Sequence, residues 1–286
     1  MNQKHTATLF AILAAALYAI NIPFSKKLLH FVSPTMMAAF LYLGAGMGLS
    51  LYRMISKTKK TDAPLSRTDL PFTIGMIVLD IAAPIFLMLG LQTTNSANAS
   101  LLNNFEIVAT SMIAFFIFKE ALSKKLTLAI LLVTLASIAL SFEGKGSFQF
   151  NTGSLLVLAA SCCWGLENNC TRMLSNKSSV QITTIKGIFS GLGSFIIALT
   201  VGEKIPSLKY ILTVLILGFV AYGLSINFYI KAQKELGAAK TSAYYSIAPF
   251  LGVFFGIILL KEQPNCGFYV GLFIMIAATL LMIKDT

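Results

Sequence analysis

Ten long apolar runs follow one another through almost the whole length of this 286-residue sequence. Each run is close to the roughly 17 to 25 residues that an α-helix needs to cross the hydrocarbon layer of a membrane. The chain is 56% hydrophobic and 12% charged, whereas a soluble domain usually carries about 25% charged residues. The sequence therefore predicts an all-α, integral, multi-pass membrane protein with ten transmembrane helices, surrounded by the lipid bilayer.

The predicted spans divide equally between two halves of the chain, residues 1–146 and 147–286. In the first half the spans are 6–24, 34–52, 70–91, 96–118 and 126–142. In the second half they are 153–173, 183–201, 210–230, 238–260 and 267–283. Glycines cluster in the second and seventh spans, around Gly46 and Gly187. Small residues let membrane helices approach closely, so we expect tight helix packing at these two places.

The two halves are related by an internal repeat. Residues 97–126 and 239–268 have similar patterns at an offset of 142 positions, and each pattern contains a Lys-Glu pair after an apolar helix. Because each half has five spans, an odd number, the second copy crosses the membrane in the opposite direction to the first. Inverted repeats of this kind are the architecture of many secondary transporters, in which the substrate site lies between the halves near the midplane.

Lysine and arginine positions predict the orientation of the chain. With the N-terminus inside, the inner segments carry fifteen basic residues and the outer segments six. Cytoplasmic loops are the ones enriched in Lys and Arg, so both termini are expected in the cytoplasm. The protein itself is expected in the cytoplasmic membrane of a bacterium. The net charge of +11 is explained by these loops, and no nucleic-acid partner is expected.

Four charged residues lie well inside predicted spans: Asp80, Glu106, Glu167 and Lys186. A charge at the centre of a membrane helix costs about 2.5 to 3.5 kcal/mol, so such residues are candidates for function. Asp80 and Glu106 lie at similar depth, and two facing carboxylates would suit proton binding. Glu167 and Lys186 are placed so that an ion pair between them is feasible, either as a purely structural pair or as part of a substrate clamp or gate.

Other polar and aromatic residues accompany these charges. Asn103 and Glu106 are expected on one helix face, because their spacing is three residues. The alternative for such a polar stripe is a set of hydrogen bonds that only holds helices together. The residues predicted to bind substrate are Asn103, Glu106, Asp80, Trp164, Glu167, Asn168, Lys186 and Tyr245.

A resemblance to a known family supports the same interpretation. The paired five-helix repeats, the pair Trp164-Gly165 in the sixth span and Pro249 ahead of the second Lys-Glu pair resemble the EamA-type branch of the drug/metabolite transporter superfamily. The resemblance covers nearly the whole chain, with one repeat in each half. It implies secondary transport, most often efflux, of small organic metabolites.

The first half departs from that family pattern. Tyr18-Ala19 stands where the second half has its Trp-Gly pair, and Ile107 occupies the position that matches Pro249. Glu106 matches Ala248, so the halves also differ in their charges. The scaffold is therefore expected to be symmetric and its chemistry asymmetric.

The sequence predicts a secondary transporter that works by alternating access. It would move a small organic metabolite, such as an amino acid or similar zwitterion, outward and coupled to protons. One alternative is a transporter of organic cations such as quaternary amines, which acidic and aromatic residues would bind. A remote alternative is an intramembrane enzyme, but neither H-E-x-x-H nor Gly-x-Gly-Asp occurs in the spans. No enzyme activity, cofactor or metal site is expected, and a homodimer is left open.

Overall fold

The structure, a computed structural model, describes residues 3–55, 63–117, 119, 123–141, 151–261 and 266–283. Regular structure within these residues is helical. The helices of the first half are α1 (Gln3–Ala19), α2 (Asn21–Leu28), α3 (Pro34–Ile55), α4 (Leu70–Thr93), α5 (Ser96–Leu102), α6 (Phe105–Phe116) and α7 (Lys124–Ser141). The helices of the second half are α8 (Thr152–Leu174), α9 (Ser179–Thr200), α10 (Leu208–Gly218), α11 (Ser225–Tyr245), α12 (Ala248–Leu260) and α13 (Cys266–Ile283).

Each predicted span overlaps one or more of these helices. Six helical stretches of the described chain are long and apolar enough to cross a membrane. They are His5–Leu28, Pro34–Ile55, Arg67–Thr93, Ser96–Phe116, Ser179–Thr200 and Leu208–Gly237. Three further apolar helices, Thr127–Ala136, Ala248–Leu260 and Phe268–Leu281, are shorter. The all-helical membrane fold is thus confirmed, whereas ten membrane crossings remain a prediction.

The segment between the eighth and ninth spans, residues 231–237, differs from the prediction. It was expected to be a loop, but α11 continues through it as far as Gly237. Its polar residues, including Lys231 and Glu235, are good helix formers, so polarity alone did not indicate a loop here. Gly237, at φ 79°, interrupts the helix instead. The predicted span ends Phe118 and Phe142, the two Lys-Glu glutamates and the boundary at 146/147 lie outside the described residues.

Three predicted spans are broken helices. The first is interrupted at Ile20, between α1 and α2, the fourth at Asn103-Asn104, between α5 and α6, and the ninth at Ser246-Ile247, between α11 and α12. Pro249 stands in the first turn of α12, where its missing N–H costs no helical hydrogen bond. The breaks in the fourth and ninth spans lie within one residue of equivalent positions of the repeat, so both halves place short helix ends in the interior.

The helices pack mainly between the two halves of the chain. The pairs α3 with α9, α4 with α8, α1 with α11 and α7 with α13 form the main contacts. In terms of the predicted spans, the α4–α8 pair joins the third span to the sixth, and the α1–α11 pair joins the eighth span to the first. These two pairs are therefore equivalent under the repeat. The α3–α9 and α7–α13 pairs each join a span to its own counterpart in the other half. The predicted close packing is confirmed at α3 and α9, since a Cβ added at Gly187 would lie 2.3 Å from the backbone nitrogen of Gly46.

Candidate functional site

A central cavity lies between the two halves, at the level of the helix breaks. Its volume is about 50 Å³, which is room for a few water molecules. Helices α1, α3, α6, α8, α9 and α11 and the π-helical segment Phe219–Leu224 supply its walls. The lining residues are Tyr18, Tyr42, Glu106, Trp164, Glu167, Asn168, Thr171, Lys186, Tyr222, Ser225, Ile226, Tyr229, Ile230 and Tyr245.

Lys186 joins two buried carboxylates at one side of this cavity. Its Nζ atom lies 2.8 Å from Oε1 of Glu167 and 3.1 Å from Oδ2 of Asp80. The Tyr42 hydroxyl donates a 2.6 Å hydrogen bond to Oδ1 of Asp80, and the Thr171 hydroxyl donates to Glu167. Burying such charges is tolerated because they are paired and hydrogen-bonded. The feasible ion pair between Glu167 and Lys186 is therefore present in the structure, with Asp80 as a second partner.

Glu106 is the carboxylate that faces the cavity outside this cluster. It lies in the first turn of α6, where the positive end of the helix dipole favours a negative charge. The Nδ2 atom of Asn168 donates a 2.7 Å hydrogen bond to Oε1 of Glu106 and also lies 3.2 Å from the Thr110 hydroxyl. No Lys or Arg of the described residues forms an ion pair with Glu106. Glu106 thus presents to the cavity a carboxyl group that is held in place by a hydrogen bond and has no ion partner among the described residues.

Aromatic rings surround the remaining space. Tyr18 makes contacts with Trp164, Tyr222 and Tyr245, with ring centroids 6.4, 5.8 and 5.8 Å apart. The Tyr229 ring lies 5.0 Å from that of Tyr245. Aromatic faces attract a ligand cation, most strongly where water is excluded. The rings and Glu106 together form a site suited to a positively charged group.

The structure brings most of the predicted residues together, with two exceptions. Asp80 is fully buried behind the cavity wall and acts on the site through Lys186 and Tyr42. It is joined in this way to Glu167 rather than to Glu106. Asn103 lines a separate, smaller cavity on the other side of Tyr18.

Eight lining residues are absent from the predicted set: Tyr18, Tyr42, Thr171, Tyr222, Ser225, Ile226, Tyr229 and Ile230. Tyr222, Ser225 and Tyr229 are three and four residues apart, so they lie on one helix face. That spacing is a signal that could have identified them. Tyr42 stands in an otherwise apolar span with no such pattern, and only its hydrogen bond to Asp80 reveals its place.

A second cavity lies next to the central one, toward one face of the molecule. Ile230 lines both the central cavity and a second one of about 280 Å³, which also contains Lys177, Lys231 and Lys234. We call this side the Lys231 face. Its basic residues belong to the segments that the charge distribution predicts to be cytoplasmic.

The opposite face is held by contacts between the halves. The carboxylate of Glu203 accepts hydrogen bonds of 3.1 and 2.7 Å from the backbone N–H groups of Thr35 and Met36. The rings of Phe31 and Tyr210 stack with centroids 4.6 Å apart. We call this side the Glu203 face. These contacts join the second half to the start of α3, away from the Lys231 face.

Comparisons with known proteins agree with this architecture. A solved structure described as "Crystal structure of protein" superposes with a TM-score of 0.74 at 15% identity, over 98% of this chain and 97% of that one, which indicates a shared fold. An "Uncharacterized transporter" of Methanothermobacter thermautotrophicus is 28% identical over 88% of this chain and 78% of its own length. The "Uncharacterized transporter YyaM" of Bacillus subtilis is 23% identical over 79% of this chain and 76% of its own.

The profile of the EamA-like transporter family matches residues 5–142 and again residues 151–284. The two matches cover nearly the whole sequence, one in each half. Together with the apolar helices they establish an integral, multi-pass membrane protein of a transporter family. The chain belongs to the EamA-like transporter family.

Proposed function

We propose that this protein is a secondary transporter of a small organic metabolite that carries a positively charged amino group. The observation that carries the proposal is Glu106, a carboxylate that faces the central cavity among tyrosine rings without a basic partner among the described residues. An anion held in this way is costly in a membrane interior unless a cation occupies the site during the working cycle.

The charge balance favours an organic cation over a zwitterion. The cavity and its wall contain the carboxylates of Asp80, Glu106 and Glu167 and the ammonium group of Lys186. Lys186 already binds two carboxylates, so a substrate carboxylate would have to displace one of them. An amino acid remains the second candidate, with its amino group at Glu106 and its carboxylate hydrogen-bonded by hydroxyl groups such as those of Tyr222 and Ser225.

Alternating access would follow from an inverted pair of five-helix repeats, residues 1–146 and 147–286. Two features support this arrangement: the packing pairs repeat when the halves are exchanged, and the breaks in the fourth and ninth spans are equivalent. The site between such halves would open first to one side of the membrane and then to the other. Ten crossings with both termini in the cytoplasm of a bacterium complete this proposal. It assigns the chain no enzymatic reaction.

Coupling to protons would use the same carboxylate. Glu106 can hold either a proton or a substrate ammonium group, but not both, because each neutralises its single charge. A proton arriving from outside would release the substrate there, and its departure inside would restore the anion for the next molecule. This exchange gives efflux driven by an inward proton gradient.

The test is transport by the purified protein in proteoliposomes. Radiolabelled amines, quaternary ammonium ions and amino acids are added outside the proteoliposomes. Their uptake is measured with and without a pH gradient across the membrane. We expect accumulation of at least one amine only when the gradient is present. Flux of none of these compounds above protein-free liposomes would contradict the proposal.

A binding screen separates the two substrate classes. Each candidate is added to the purified protein, and the shift of its melting temperature is measured, since a ligand that binds the folded state stabilises it. Stabilisation by quaternary amines that lack a carboxylate selects the organic-cation version. Stabilisation by amino acids but not by their decarboxylated amines selects the zwitterion.

A further inference from the structure

Two of the three carboxylates at the central cavity share one cation. The Nζ atom of Lys186 lies 2.8 Å from Oε1 of Glu167 and 3.1 Å from Oδ2 of Asp80. These three residues are 4%, 2% and 0% exposed, in that order. Among the described residues, Lys186 is the basic group that pairs with either carboxylate. With both carboxylates ionised, the cluster would carry one negative charge that no described side chain balances.

A net negative charge is unfavourable at this depth. Asp80 lies near the middle of α4 and is fully buried. An isolated ionised carboxylate in an apolar interior costs so much free energy that it takes up a proton instead. Two carboxylates that share a site favour the same outcome, because ionising both brings like charges together. A single added proton would make the cluster neutral.

Asp80 is the better holder of this proton. Glu167 lines the cavity, where water can stabilise its charge, and it has the shorter contact with Lys186. Asp80 does not line the cavity. Its Oδ1 atom lies 2.6 Å from the Tyr42 hydroxyl, whose oxygen can accept a hydrogen bond as well as donate one. A proton on Oδ1 would therefore be hydrogen-bonded, with the direction of that bond reversed.

We propose that Asp80 is a proton-binding site, occupied in the state described here, and that the Tyr42 hydroxyl connects it to the central cavity. Tyr42 lines the cavity and contacts Asp80 directly. In the loading step, a hydronium ion in the cavity gives a proton to the Tyr42 oxygen while the Tyr42 hydroxyl hydrogen moves to Oδ1 of Asp80. One O–H bond forms and one breaks at the tyrosine, so a water molecule, an unchanged tyrosine and a neutral acid remain.

The other titratable groups near Asp80 do not alter this charge balance. Besides the cluster and Tyr42, the groups in electrostatic contact with it are Cys170 of α8 and Tyr222 of the π-helical segment. A thiol and a phenol are both uncharged near neutral pH. Neither supplies a positive charge, so two carboxylates and one ammonium group decide the charge of the cluster.

The proton at Asp80 also bears on the choice of substrate, and this step rests on the proposed function. With Asp80 neutral, Lys186 balances Glu167, and the uncompensated charge at the cavity is that of Glu106. A monovalent amine is then the substrate that matches the charge of the site. The proton site itself needs no substrate, because its evidence is the geometry of the cluster.

The test is infrared spectroscopy of the purified full-length protein at neutral pH, without amine. A neutral carboxyl group has a C=O stretching band at higher frequency than a carboxylate, and the band moves when its carbon is ¹³C. We expect such a band, and we expect it to shift in protein labelled with ¹³C at the side-chain carboxyl of aspartate. Absence of the band, or a shift with labelled glutamate alone, would overturn the proposal. The labelled wild type gives this result without any substitution.

Variants show whether the proton depends on the shared cation. Asp80→Asn should remove the aspartate band, and Glu167→Gln should remove it too, because Lys186 then balances Asp80 alone. Asp69→Asn is the matched control, since Asp69 pairs with Lys177 at 3.3 Å at the Lys231 face. Its loss should leave the band unchanged. A band that persists in Asp80→Asn or in Glu167→Gln would contradict the site.

Tyr42→Phe tests the connection to the cavity. Transfer from H₂O to D₂O shifts the band as the acid proton exchanges, and this exchange should be several-fold slower in Tyr42→Phe, whose ring cannot pass a proton. Tyr222→Phe is the matched control, because its ring lies 4.9 Å from that of Tyr42 but its hydroxyl is hydrogen-bonded by Asn21. Equal exchange in both variants and the wild type would overturn the connection through Tyr42.

The proton site and the transport function are tested separately. The infrared bands are measured without amine, whereas transport is measured as amine uptake by proteoliposomes. A protein that transports amines but has no aspartate band contradicts the proton site alone. A protein that has the band but transports none of the compounds contradicts the proposed function alone.

Discussion

The charged residues of the cavity differ in both burial and pairing, and these differences give them two different roles. Lys186, Asp80 and Glu167 satisfy one another and are 4%, 0% and 2% exposed. Glu106 is half-buried, and within the described part of the chain its carboxylate is held by one hydrogen bond, from the neutral amide of Asn168. The first three form a structural cluster that shapes the cavity wall, and the fourth offers its charge to a ligand.

Glu106→Gln should weaken amine binding with little loss of stability. The substitution keeps an oxygen that can accept the hydrogen bond from Asn168 but removes the charge. A hydrogen bond to a charged group is worth about 1.5–3 kcal/mol, so affinity should fall roughly 10- to 100-fold. Calorimetric titration with the best amine of the screen measures this change. Equal affinity in the variant and the wild type would show that the amine binds elsewhere.

Lys186→Met should destabilise the fold, because it leaves two buried carboxylates without their cation. Removing one partner of a buried ion pair costs about 3–5 kcal/mol. The measurement is the melting temperature in detergent. The triple variant Lys186→Met, Asp80→Asn, Glu167→Gln removes all three charges and should recover much of the loss. A triple variant as unstable as the single one would mean that Lys186 contributes through packing and not through charge.

At the scale of helices, the breaks decide where side chains point. The chain around Asn103-Asn104 forms hydrogen bonds between residues three apart, such as Glu106 N–H to the Asn103 carbonyl, 3.1 Å. This tightening changes the helix phase between α5 and α6. Glu106 consequently faces the central cavity, and Asn103 faces the smaller one.

That break marks the limit of what the sequence could predict. An unbroken helix places Asn103 and Glu106 on one face, and nothing in their residue types signals the change of phase. Glu167 and Lys186 were paired correctly, because each lies in a regular helix whose depth can be counted from its ends. Asp80 contacts Lys186 because of the way α4 is rotated about its own axis against α8 and α9. The positions of the spans in the sequence do not determine that rotation.

Gly187→Ala should separate α3 from α9. The added Cβ would lie 2.3 Å from the nitrogen and 2.6 Å from the Cα of Gly46, and a backbone cannot move aside as a side chain does. We expect a loss of at least about 2 kcal/mol in the free energy of unfolding, measured by denaturant titration in detergent.

Gly75→Ala is the matched control for this change. The nearest atom to its added Cβ is the side-chain sulphur of Cys170, at 3.1 Å. A flexible side chain can shift, and alanine is the better helix former, so the change should stay within about 1 kcal/mol. Similar losses in both variants would mean that the close approach of α3 and α9 has no special energetic weight.

At the scale of the whole molecule, the two faces are joined by different contacts. On the Glu203 face, a carboxylate binds the N-terminus of α3. On the Lys231 face, Lys177 and Asp69 form an ion pair of 3.3 Å between the halves, beside the cavity that reaches Ile230. A transporter that alternates between two openings needs such contacts to be weak enough to break and to differ in strength.

Glu203→Ala should shift the protein toward opening at the Glu203 face. The variant removes two hydrogen bonds to backbone N–H groups, which stabilise the contact between the halves on that side alone. A cysteine introduced as Ile226→Cys, in a background without the native cysteines, reports the opening. We expect it to react several-fold faster with a membrane-impermeant thiol reagent applied from the Glu203 face.

Asp69→Asn provides the matched variant on the other side. It breaks the ion pair with Lys177 and should raise labelling of the same cysteine from the Lys231 face. If Glu203→Ala leaves labelling from both sides unchanged, Glu203 does not control the opening.

The distribution of helix contacts has a consequence for the integrity of the chain itself. Because the main helix pairs join one half to the other, covalent continuity between Ser141 and Asn151 adds little to the packed interface. Each half alone would leave most of its interior surface without a partner. The protein should therefore tolerate being cut there and produced as two fragments in one cell, where fragments that meet reassemble and unmatched ones are degraded.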